Sequence, residues 1–337
     1  MTQHAAPEAP EALADAPCPP LAGPPATAAD VRPGRRQACW HTLVCLTLLL
    51  GAAYLGRRHW PLVESGALRL AVARQGWLLA GAAAALATWP ASALAQQGAV
   101  ARRLPGPRLL AAQFAASAAN HLLPAGLGAG AVNLRFLMRC GLPVGRSAGA
   151  LAVKATAGAA VRLVLIAALA PLCPGLLRLP HVSPAALAAV TGLAVLLAAL
   201  LAGPLRPRCR RALAAVLTDI RAVHARPVRA AALWGGSLAF AALHALVLVA
   251  MAQAVGLFLP PFQVALLYLA ASGAAALLPT PGGFGSLDAA LALALTMSGA
   301  PGATAASAVL GYRLLTVWLP LLPGLVVLGM LVRRRAV

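Results

Sequence analysis

Five charged side chains sit in stretches otherwise composed for lipid: Arg135, Lys154, Arg162, Asp288 and Arg313. One charge at bilayer depth costs roughly 2.5–3.5 kcal/mol on insertion scales. Left unpaired, the set would cost on the order of 10 kcal/mol. Each must therefore face a cavity, a partner or a ligand. Asp288 is the only acid in the last two spanning regions, so Arg313 is its natural partner. That pair either grips a substrate or is purely structural. Asp288 also follows Ser286 near a helix start, where an acid complements the helix dipole and caps free N–H groups.

Lys154 and Arg162 lie eight positions apart with Gly158 between them, on roughly one helix face. Facing a hydrated cavity, they would attract an anionic phosphate head group. The competing account is snorkelling to an interface, above all for Arg162. Asn120 and His121 stand beside a Pro/Gly break. They either bind a head group or satisfy the broken backbone, which must find partners in lipid. His244, with Ser237 on the same face, reads as a packed, hydrogen-bonded histidine. The six cysteines are scattered and form no C-x-x-C pair. Neither a metal site nor a disulfide framework is expected, and no cofactor is implied.

The elements that must position these groups follow from composition. The chain has 337 residues, 61% hydrophobic and 10% charged. Mean hydropathy is +0.82. Soluble domains average about 25% charged residues, so an ordinary cytosolic enzyme is excluded. The net charge of +20 comes from basic residues that punctuate apolar segments rather than forming a dense stripe. That is the pattern of loops beside membrane helices, not of a nucleic-acid surface. Residues 1–36, rich in Ala and Pro, read as a disordered cytoplasmic tail and not as a cleavable signal peptide.

Spans are predicted at about 39–56, 75–99, 147–170, 184–203, 230–256 and 303–331, with a short interfacial helix over 57–74. Gln113, Ser117, Asn120 and His121 form one polar stripe on a short apolar helix. Pro124, Gly126, Gly128 and Gly130 then break it before a second short helix. The segment 262–298 repeats the plan, with its break at Pro279, Pro281, Gly282 and Gly283. Both read as re-entrant hairpins. Their glycine turns place helix N-termini at mid-membrane, either as anion sites or as points of close helix packing. The predicted fold is thus all-α and polytopic: six spanning helices plus two re-entrant helical hairpins. The membrane domain spans 37–332, followed by a basic tail over 333–337.

With the N-terminus inside, inner loops hold eighteen basic residues and outer loops five. That bias places both termini in the cytoplasm and the protein in the cell membrane. Each hairpin is followed by Gly-x-Pro (Gly141 to Pro143, Gly299 to Pro301) and a helix carrying a cation, Lys154 or Arg313. In this topology the hairpins enter from opposite sides, an inverted repeat.

The same residues carry a family resemblance. Pro279-Thr280-Pro281-Gly282-Gly283-Phe284-Gly285-Ser286-Leu287-Asp288 and Tyr312-Arg313-Leu314-Leu315-Thr316-Val317-Trp318-Leu319-Pro320 resemble the signature of the lysylphosphatidylglycerol synthase transmembrane-region family. Asn120-His121-Leu122-Leu123-Pro124 and Val132-Asn133-Leu134-Arg135-Phe136-Leu137 resemble its upstream motif. The likeness covers roughly 40–332. Asp288 stands where the family usually has Glu, and an acid common in the upstream Gly-rich motif is absent. The resemblance implies a flippase-like membrane domain. It adds Tyr312 to the candidate substrate-binding residues.

With the chain ending just after the last span, the soluble aminoacyl-transfer domain of the full synthases is not expected, so lipid translocation is implied rather than synthesis. The expected function is a lipid flippase or lipid-head-group transporter for an anionic phospholipid or glycolipid, not an enzyme. A membrane-embedded lipid-carrier transferase and a solute carrier or structural membrane partner are the alternatives. The expected partner is a membrane lipid; a second copy of the chain is another, and nucleic acid is not.

Overall fold

The computed structural model describes residues 72–122, 127–174, 220–276 and 286–333, with positions 68, 214, 217 and 218 between them. The tail over 1–36, the spans predicted at 39–56 and 184–203, and most of the interfacial helix lie outside the described residues. So do Pro124, Gly126, Pro279, Pro281, Gly282 and Gly283.

All regular structure among the described residues is helical. In chain order the α-helices are α1 (Gln75–Ala99), α2 (Gly106–Leu122), α3 (Leu127–Arg139), α4 (Val144–Leu169), α5 (Pro227–Ala254), α6 (Pro261–Ala276), α7 (Ser286–Met297), α8 (Gly302–Arg313) and α9 (Leu319–Arg333). A 3₁₀ turn, Ala170–Leu172, extends α4, and a π-helical segment, Leu314–Trp318, joins α8 to α9. Apolar segments without water must satisfy their backbone groups internally, and a helix does so within one stretch of chain.

Among the described residues, four helical stretches are long and apolar enough to cross a bilayer: Gln75–Ala99, Val144–Leu172, Pro227–Ala254 and Gly302–Leu321. The last predicted span is not one uniform α-helix. Its π segment begins directly after Arg313. The extra residue in that turn shifts the side chains after Arg313 around the helix relative to those before it.

The fold is organised around α1 and α5, which pack along their lengths. Small residues let the two backbones approach. A Cβ at Gly98 would run into the backbone of Leu233, and one at Gly236 into the backbone of Ala95. A Cβ at Gly81 would press on Met251 near the other end. Positions rising along α1 thus meet positions falling along α5, so the pair is antiparallel.

The segments around this pair match each other. Gly141 and Gly299 take positive φ, 86° and 94°, as the residues closing α3 and α7. Gly141 N–H bonds to the carbonyl of Met138 and Leu142 N–H to that of Leu137. Gly299 N–H bonds to Thr296 and Ala300 N–H to Leu295 in the same way. These are two Schellman caps in equivalent register. Pro143 and Pro301 then precede α4 and α8. Sequence spacing paired Lys154 with Arg313. Lys154 lies 11 positions after Pro143 and Arg313 lies 12 after Pro301, where the eleventh residue is Tyr312.

Outside the α1–α5 pair, α4 packs on α6, and α9 packs on α2.

Candidate functional site

One face of each inner helix is small or polar, and those faces enclose a cavity of about 820 Å³. That lies within the range of small-ligand pockets, about 300–1,000 Å³. α1 contributes Thr88, Ser92 and Gln96 at helical spacing. α2 contributes Gln113, Ser117 and Asn120, three members of the polar stripe expected from sequence. Asn133 from α3, His244 and Ser237 from α5, and Tyr268 and Ser272 from α6 complete the polar wall.

α4 carries Lys154 and Arg162 into the cavity, with Ala155, Gly158 and Ala159 leaving space beside them. Its opposite face shows Leu163 and Val164, 67% and 66% exposed. In water this helix would be inside out. Its apolar flank fits lipid, and its charged flank fits an interior cavity.

The Lys154 ammonium is held by neutral oxygens. It donates to Ser92 Oγ at 3.0 Å and to Gln113 Oε1 at 3.3 Å. Ser92 Oγ in turn donates to Gln113 Oε1 at 2.8 Å. Gln113 Nε2 donates to Asn133 Oδ1 at 2.9 Å, and Asn133 Nδ2 to the carbonyl of Ala129 at 2.9 Å. One network therefore ties α1, α2, α3 and α4 together at the cation. Every member has its orientation set by the next.

At the other end, Arg313 Nε donates to Asp288 Oδ1, closing the expected ion pair. The Arg313 side chain is 9% exposed and that of Asp288 31%. Asp288 lies in the first turn of α7, so it also meets the positive end of the helix dipole. Arg313 lines the cavity, whereas Asp288 stands behind it. Tyr312 lines it too and donates its hydroxyl to Tyr268 Oη at 3.2 Å.

Of the residues singled out from sequence, Lys154, Arg162, Asn120, Tyr312 and Arg313 meet in this one space. Nothing is described of the His121 side chain. Arg135 is exposed and does not line the cavity. Gly128 is not a turn residue: it lies within α3, where a Cβ would run into the carbonyl of Ala119 on α2. Its role is close packing of the two hairpin helices. His244 is hydrogen-bonded through Nδ1 to the carbonyl of Phe240 at 3.1 Å, as a packed histidine should be, yet it also faces the cavity.

Two contributors had no sequence signal that marked them. Ser92 and Gln96 sit four apart in an apolar span, a spacing that only gains meaning beside Lys154. Gln96 is fully buried, and its amide nitrogen and oxygen both lack a hydrogen-bond partner. Arg162 Nε is buried without one as well. Leaving a buried polar group unsatisfied costs about 1–3 kcal/mol.

The charge balance is one-sided. Of the seven acids in the chain, Asp288 alone falls among the described residues, and Arg313 takes it. Lys154 and Arg162 face the cavity with no carboxylate beside them among the described residues.

The family model for the lysylphosphatidylglycerol synthase TM region matches residues 43–324. No curated protein matches the chain.

Proposed function

The chain belongs to the lysylphosphatidylglycerol synthase transmembrane-region family, and from that premise we propose that it moves lipids with anionic head groups across the membrane. It acts as a flippase or head-group transporter for a phospholipid or glycolipid, and no reaction is assigned to it. The observation that carries this reading is the cavity. Two cations without a carboxylate partner among the described residues face a space large enough for a head group. Such a space attracts phosphate and repels a cationic head.

The reading takes the two helical pairs, α2–α3 and α6–α7, as re-entrant hairpins of an inverted repeat. Two observations support it: the two caps followed by Pro143 and Pro301, and the antiparallel course of α1 and α5. The cavity then lies at the repeat interface, where rocking of one half against the other alternates access. The protein would sit in the cell membrane with both termini in the cytoplasm, as the basic loops imply.

The test is reconstitution in liposomes with labelled phospholipids, anionic against zwitterionic, read as head-group accessibility on each leaflet. The expected result is translocation that prefers anionic lipid and falls at least tenfold, roughly the effect of one charge-assisted hydrogen bond, in Lys154→Gln or Arg162→Gln. Well-folded wild type that moves no lipid, with or without imposed gradients, would refute the reading.

A further inference from the structure

Two cations in the cavity ask for two counter-charges. Resting on the head-group reading above, we infer that the substrate bears two separate anionic groups, one bound at Lys154 and one at Arg162.

Lys154 gives two N–H bonds to Ser92 and Gln113. Neutral oxygens solvate an ammonium but leave its charge in place. Its third N–H remains for a ligand. Arg162 is less satisfied still, with Nε buried and lacking a partner. Arg313 supplies no further positive charge, because Asp288 already balances it. Among the described residues the surplus is therefore two, and it is divided.

The eight positions between Lys154 and Arg162 correspond to about 12 Å along the helix axis. Each cation is thus carried on its own turn of the helix, and one anionic group at each matches both charges. The groups around them differ as well. Near Lys154, Gln96 lies one turn beyond Ser92 and brings a buried amide with both polar atoms unpartnered. Tyr268 and His244 belong to the cavity wall on α6 and α5. A head group with two anionic ends spans both subsites and neutralises both charges. A monoanionic one neutralises one of them.

The test uses the full chain in detergent and reads thermal stabilisation on titration. The probes are dihexanoyl phosphatidylglycerol and its terminal-phosphate ester, which differ by one phosphate. The expected result is half-stabilisation by the bis-phosphate at about tenfold lower concentration, the effect of one added charge-assisted bond. Lys154→Gln and Arg162→Gln should each bring the two probes level. Lys154→Arg and Arg162→Lys keep the charge and should keep the preference, which separates lost charge from lost folding. Equal affinity of wild type for both probes would overturn the inference, as would a preference that survives both glutamine variants.

Chain-free glycerol bisphosphate is the third probe. If it stabilises as well as the lipid, the divided dianion site stands and the lipid reading falls. Liposomes in which monoanionic lipid moves as readily as bis-phosphate lipid leave transport intact and sink the dianion site.

Discussion

At the scale of single residues, charge at membrane depth was the strongest signal in the chain. Insertion cost alone required Lys154, Arg162, Asp288 and Arg313 to find company. The structure supplies two solutions. Asp288 and Arg313 neutralise each other. Lys154 is instead set among neutral acceptors from three helices, α1, α2 and, through Asn133, α3. The pair makes a prediction of its own. Arg313→Gln or Asp288→Asn strips the partner of its counter-charge and should each cost about 3 kcal/mol, as broken buried pairs do. The double variant should cost less than either single. Reversible denaturation of the detergent-solubilised protein measures this, and a double variant as costly as the sum would refute the coupling. Gln96 was not legible from sequence. A glutamine in an apolar helix says nothing until its neighbours are known, and here they leave it without a bond.

At the scale of elements, the Gly-x-Pro turns are the most informative short patterns. The residue closing a helix in the left-handed region favours glycine because a Cβ there collides with the following carbonyl. Gly141, Gly256 and Gly299 meet that demand with the same hydrogen bonds, and at Gly141 and Gly299 a proline follows two residues on. Gly141→Ala and Gly299→Ala should each destabilise the protein by about 1–2 kcal/mol. Gly145→Ala, within α4 and with open space around it, should be neutral or stabilising by up to about 1 kcal/mol. Melting curves of the three variants decide it; equal effects would mean the caps are not what constrains these turns. Gly128 teaches the opposite lesson. In a Gly-rich stretch it reads as a turn residue, and only the approach of α2 shows that it is a packing residue. The π segment after Arg313 was likewise invisible, because nothing in Leu314–Trp318 distinguishes it from ordinary apolar helix.

At the scale of the molecule, the proposed inverted repeat has one consequence that a chance likeness would not have. Val144 and Gly302 are equivalent first residues of α4 and α8, and both are exposed. In an inverted repeat they lie on opposite sides of the membrane. In a chain freed of its six cysteines, Gly302→Cys should react with an impermeant maleimide in intact cells. Val144→Cys should react only after permeabilisation. Labelling of both from one side would exclude the inverted arrangement.

The amino-acid sequence by itself determined that this chain is a helical membrane protein with two broken, matching regions, and which charges must be shielded. Those properties follow from transfer energy and backbone geometry, which act locally and can be read residue by residue. Tertiary structure alone decided that the charges converge on one cavity. It also decided that two cations face that space without a carboxylate among the described residues. Convergence depends on which helix faces meet. That is set by the small residues between α1 and α5 and by the packing of α4 on α6 and of α9 on α2, contacts that no spacing along one strand of sequence encodes.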